Sequence, residues 1–208
     1  MSAEHDPAGE LRARILETPI PIQKISAWLD GLDHASRVDA VRSLGRREQR
    51  RLYEAADSFL PVGLSDMVSP STGALESVRH YGKNTLPAFR TFEKRFCRPP
   101  DADPEKPEAL WGYNFQTMAW LTGPGYFLAR DDSARREVLV DYHHVPPTGA
   151  ATPPEGWPEI RSNEGIPSRF VYGFMIDTLR RVSEHVTIGS AARKGKDLGS
   201  WFILAREG

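Results

Sequence analysis

The chain has 208 residues, 39% of them hydrophobic and five of them Trp. That is enough for one sizeable core, as a single large domain or a smaller one with a helical appendage. Its 27 basic and 28 acidic residues leave a formal net charge of −1, so the overall excess of positive charge that gathers nucleic acid is absent. A single cysteine, Cys97, excludes an internal disulfide framework and fits a reducing compartment.

Residues 1–9 are small, charged and proline-containing, and predict disorder; the opening Met-Ser-Ala-Glu-His-Asp-Pro carries no secretory pattern. No apolar run approaches the roughly 18 residues of a membrane span. The expectation is a soluble, cytoplasmic protein without a membrane span. From Leu11 to about Ala56 the pattern is helical. Pro21 suits a first helical position, with Ile22, Ile25, Leu29 and Leu32 following at helical spacing. Asp33 is placed to cap a second helix through Val38, Val41 and Leu44, with Gly45 just past its end, and a third helix runs from Arg46 to Ala56.

Residues 58–84 read as a linker, punctuated by Pro61, Gly63, Pro70 and Gly73, with a short helix over Ala74–His80. Strand candidates then follow in quick order. They are Phe89–Cys97 (whose apolar positions also fit a helix), Trp111–Leu121, Gly125–Arg130, Glu137–His143, Phe170–Val182, Val186–Ala191 and Trp201–Ala205. A bend at Gly173 would split the long one. Residues 145–167, with six prolines and three glycines, form the longest irregular stretch. The division predicted is a helical segment 1–57, a linker 58–84 and a β domain 85–208.

Short antiparallel strands joined by tight turns make a meander, and a meander that closes makes a barrel able to hold one small apolar molecule. In Phe170–Asp177, Phe170, Tyr172, Phe174 and Ile176 share one strand face; Val171, Gly173, Met175 and Asp177 share the other. Both faces are largely apolar, which predicts burial on both sides. The stretch Met175–Gly189 followed by Trp201-Phe-Ile-Leu, and Gly125-Tyr-Phe-Leu followed by Val138–Tyr142, resembles the closing strands of lipocalin-like (calycin-type) barrels. The resemblance covers about the last hundred residues. The Gly-x-Trp element of true lipocalins is absent; Trp111-Gly112-Tyr113 has the order reversed. The resemblance implies an α+β protein whose N-terminal helices precede an antiparallel β-barrel or strongly curved sheet surrounding a lipophilic ligand.

Tyr113, Trp120, Tyr142, Phe170, Tyr172, Phe174 and Trp201 are the candidate wall residues, with Arg180 placed to orient a polar or carboxylate group. Asp177 and Arg181 share a face and are expected to pair. Asp141 beside His143 offers a carboxylate-supported general base, the basis of an alternative reading as an isomerase or cyclase of an apolar metabolite. A third reading has the N-terminal helices docking a protein partner. Arg46, Arg47, Arg50 and Arg51 form a local basic patch, read as a solvated face or a contact with another subunit, which leaves self-association into a homo-oligomer open. Cys97 is read as a structural thiol, although its basic neighbours Lys94, Arg95 and Arg98 could lower its pKa. The histidines show no zinc-like spacing, and no nucleophile elbow, P-loop or dinucleotide fingerprint occurs; no metal and no cofactor is expected.

Overall fold

A computed structural model of the chain describes residues 6–88, 90–116, 123–147, 153–165 and 168–208, apart from the side chains of Phe170 and Val171. Five helices open the chain: α1 (Pro7–Leu16), α2 (Ile22–Asp30), α3 (His34–Ser43), α4 (Arg46–Ala55) and the single turn α5 (Leu64–Met67). Their starts follow from local chemistry. The Asp6 carboxylate accepts from the Gly9 amide and that of Asp33 from the Ser36 amide, both at 3.0 Å. Gly45 closes nothing behind α3; it opens α4, donating its amide to Glu48 at 3.0 Å.

Eight strands follow: β1 (Val78–Asn84), β2 (Thr91–Cys97), β3 (Leu110–Phe115), β4 (Tyr126–Asp132), β5 (Glu137–Asp141), β6 (Met175–Arg181), β7 (Val186–Arg193) and β8 (Lys196–Arg206). A short helix, α6 (Ser168–Tyr172), precedes β6. Each strand pairs antiparallel with the next, and β1 pairs with β8, so the sheet closes into an eight-stranded barrel. The protein is α+β: N-terminal helices, then a closed antiparallel barrel.

Three predicted elements differ, the first being Pro7–Gly9, which were expected to be disordered and form the first turn of α1. Residues 78–80, read as the end of a helix, belong to β1, whose inward positions Val78, His80 and Gly82 alternate with outward ones. Residues 78–80 all pair with β2, and from His80 onward the other edge pairs with β8, a tertiary ladder that no local signal announces. The aromatic stretch from Phe170 is not one strand. Its first part is α6, the chain turns through Gly173 and Phe174 (φ 62°), and only Met175 begins the ladder. The face assignment made for residues 170–174 therefore does not hold.

The barrel wall separates distinct apolar regions. Inside, Phe92, Phe96, Phe127, Val138, Val140, Leu179, Phe202 and Leu204 pack together, and α5 plugs one end with Leu64, Met67 and Val68. Close packing of rings inside so small a barrel needs glycine opposite them. A Cβ on Gly112 would lie 2.3 Å from the Phe127 ring, and one on Gly189 the same distance from Phe202. Outside, α1–α4 cover β1, β7 and β8 with Leu11, Ile15, Ile25, Leu29, Val41 and Leu52 against Val186, Ile188 and Ile203. The apolar stripes of helices too short to persist alone are thus spent on the barrel. On the opposite flank Trp157 packs on Tyr113 and Tyr126, so part of the long irregular stretch is a wall covering.

At the plugged end His80 is 1% exposed, donates Nε2–H to the Met67 carbonyl (2.9 Å) and stacks edge-on with Phe96. Burial holds its pKa down, from 6.5 to about 3. The unfolded chain takes up this proton below pH 6.5 and the folded chain only near pH 3. Stability is therefore lost as pH falls through that window, at about 1.4 kcal/mol per pH unit for this one group. His80→Gln, which keeps a donor for Met67 and cannot titrate, is expected to flatten the urea-unfolding free energy between pH 6.5 and 4 by that slope. An unchanged slope would remove His80 as its source.

Candidate functional site

Strand alternation places Phe92, Lys94 and Phe96 together on the inner face of β2. Lys94 is 2% exposed. Its ammonium donates to Asp177 Oδ2 on β6 (3.0 Å), to Asn114 Oδ1 on β3 (3.1 Å) and to the Tyr142 hydroxyl just past β5. The Tyr142 hydroxyl in turn accepts from Asn114 Nδ2 (3.0 Å) and donates to Asp177 Oδ2 (3.1 Å). Four rings surround the ammonium, with the centroids of Phe202, Tyr142, Phe127 and Phe92 at 4.9–5.8 Å. Burial lowers the Lys94 pKa while the Asp177 carboxylate pushes it back up. Burial, with the Asp177 charge, holds the Tyr142 phenol well above its usual range, so it stays protonated. The other carboxylate oxygen, Asp177 Oδ1, is buried and has no hydrogen-bond partner.

This cluster borders a cavity of about 310 Å³ that opens at the end of the barrel away from α5. Phe92, Met175, Ala191, Leu198 and Phe202 supply apolar wall, and Asn84, Gln116, Arg193 and Ser200 supply polar points. Tyr172 stacks on Tyr142 (5.3 Å between centroids, 18° between planes) and receives a hydrogen bond from Gln116 at 3.0 Å. Thus α6 holds an aromatic side on the mouth. The interior is half solid and half hollow: packed rings and α5 fill one half, and the polar cluster stands between them and the open half.

Of the predicted wall residues, Tyr142, Tyr172 and Trp201 border the cavity. The Trp201 ring turns outward beneath Arg46 and Arg50, at 5.3 and 6.0 Å. Tyr113 faces outward against Trp157. Phe174 is exposed on a neighbouring groove, against His143 at 5.1 Å. Trp120 and the side chain of Phe170 lie outside the described residues. Arg180 does not enter the barrel: it leaves the outer face of β6 to bind Glu137 (2.7 Å) and Asp57 (2.9 Å) and lies over the Tyr53 ring, fastening α4 to the wall. Asp177 pairs with Lys94 rather than Arg181, which binds Asp66 (2.9 Å). Asp141 binds the ring of His144 (2.7 Å) and only the backbone amide of His143, and both histidines are exposed. Cys97 is fully buried, which pushes its thiol up to about 12 despite basic neighbours. Among the described residues no cluster of His, Cys, Asp or Glu forms a metal site, and no helix is long and apolar enough to cross a membrane.

Lys94 was not singled out from sequence, yet its signal is there. Phe92-x-Lys94-x-Phe96 read at strand period puts a cation on an apolar face, as Met175-x-Asp177-x-Leu179 does for the anion. Comparison with protein-family models, with curated proteins and with solved structures returns no match.

Removing one partner of a buried pair leaves an uncompensated charge. Lys94→Met is expected to cost roughly 3–5 kcal/mol of unfolding free energy, with Lys94→Met/Asp177→Leu recovering most of it. Chemical denaturation of the two variants checks this; equal losses in both would mean that the cost of Lys94→Met is not the stranding of Asp177.

Proposed function

We propose that the protein binds a small amphipathic molecule in the open half of the barrel. The observation that carries this is the cavity itself: about 310 Å³, apolar along most of its wall, ending on the buried Lys94–Asp177–Tyr142–Asn114 cluster. Apolar enclosure with a few convergent polar groups is the usual build of a small-molecule site. The resemblance of the C-terminal strands to lipocalin-like barrels supports the same reading.

The cluster also selects the polar end of the guest. The three ammonium hydrogens of Lys94 are already directed at Asp177, Asn114 and Tyr142, and the Tyr142 hydrogen at Asp177. What the ion pair leaves unfilled is an acceptor, Asp177 Oδ1. A small shift of the Asp177 side chain would present this oxygen to a guest hydroxyl, phenol or amide N–H, whereas a guest carboxylate meets like charge.

Matched probes test this by calorimetry or fluorescence titration. 4-Propylphenol is expected to bind about tenfold more tightly than 4-propylanisole, which lacks the donor, and 4-propylbenzoate least of all. Ala191→Phe, which fills the cavity from β7, is expected to abolish binding of all three while leaving the thermal midpoint within a few degrees. Equal binding of phenol and anisole would remove Asp177 from the recognition. Absence of binding by any probe would remove the cavity as a site.

A further inference from the structure

We propose that the open end of the barrel docks on an anionic bilayer surface. Six large apolar side chains are exposed among the described residues, and five of them stand at this one end: Leu86, Phe115, Phe174, Ile176 and Leu198, each 37–45% exposed. They come from four separate places around the mouth: the β1–β2 turn, the end of β3, the start of β6 and the start of β8. The sixth, Leu16, is on α1.

Exposed cations share the same ring. Arg90 follows Leu86, Arg169 lies on α6 beside Phe174, Lys194 sits 4.7 Å over the Phe174 ring, and Lys196 is two residues from Leu198. Arg46 flanks the mouth from α4, its guanidinium bonded to the Gly199 carbonyl at 2.6 Å. Against them, the described residues expose Asp197 in the β7–β8 turn and Glu164, with Glu155 and Glu159 further back, in the β5–β6 connection. The plugged end is mixed, with acids in the majority: its β4–β5 turn exposes Arg135 and Arg136. The β2–β3 connection alone exposes Asp101, Asp103, Glu105 and Glu108 against Lys106, and Glu184 lies in the β6–β7 turn. Among the described residues the turns of the mouth therefore expose more cations than acids, and those of the plugged end more acids than cations. An anionic surface orients such a molecule mouth-down before contact.

The pattern of the apolar groups decides what kind of anionic surface. Among the described residues they are single side chains from four separate places, some bordering the cavity or the groove beside it, with cations between them. A fluid interface accommodates each separately, the rings and leucines below the headgroups and the ammonium and guanidinium groups among the phosphates. Leu86 and Leu198 also border the cavity, so the proposal is tested at rim residues that do not line it, Phe115, Phe174, Lys194 and Lys196.

Sedimentation with phosphatidylcholine vesicles, with and without about 30 mol% phosphatidylserine, tests it on the full chain. Binding is expected only with phosphatidylserine, and it weakens as salt shortens the reach of the charges. Lys194→Glu/Lys196→Glu is expected to lower partitioning about tenfold or more. Phe115→Ser/Phe174→Asn, in which Asn tolerates the left-handed backbone of position 174, is expected to lower it by a similar factor with an unchanged melting profile. Failure to bind phosphatidylserine vesicles would overturn the proposal, as would binding that survives both variants. Rim-dependent binding to heparin without vesicle binding would overturn it in favour of a soluble polyanion. Vesicle binding retained by Ala191→Phe would show docking to stand even where the cavity reading fails.

Discussion

Lys94 and Asp177 face each other across the inside of the barrel, one on β2 and the other on β6, and much of what is particular to this molecule follows from that pair. A lone ammonium or carboxylate in such a place would shed its charge or its burial. Together, with Tyr142 and Asn114 filling their remaining bonds and four rings around the ammonium, they stay inside. The pair ties two non-adjacent strands, so it acts on the barrel's cross-section where backbone ladders act only between neighbours. Buried pairs of this sort contribute little net stability against apolar replacements. Their retention suits a site better than a staple.

The pair also marks where the interior changes character. On one side the α5 plug, Phe96, Phe127 and His80 pack against one another. On the other lies free volume. An all-apolar barrel of eight strands could fill itself completely. Here the ring of polar side chains ends the solid packing, and Met175, Ala191 and Phe202 line space instead of each other. The N-terminal helices contribute nothing to the cavity directly. They shield β1, β7 and β8, and through Arg180 and Tyr53 they brace the wall from outside.

The two ends of the barrel then divide labour in charge as well as packing. Turns at the plugged end carry charges of both signs with acids in the majority, and tie to α5 through Asp66, Asp131 and Arg181. Turns at the open end carry cations and unshielded apolar groups. Strand length and turn composition are independent choices in a meander, so one end can be sealed and the other opened without disturbing the ladder between them.

By itself the sequence determined what depends on near neighbours. The helix starts at Asp33 and Arg46 and most of the strands lie where spacing and caps put them, and the α+β order follows from that. Alternation along β2, read strictly, was also enough to put Lys94 among phenylalanines. Only the tertiary structure decided which wall of a strand faces inward, because a two-residue period marks two faces without naming either. That is why Tyr113 and Arg180, read as cavity residues, face outward, and why the anion opposite Lys94 proved to be Asp177, 83 positions along the chain. β1 is a strand of residues with no strand signal of their own, for the same reason: one edge pairs with β2 and the other with β8, more than a hundred positions away.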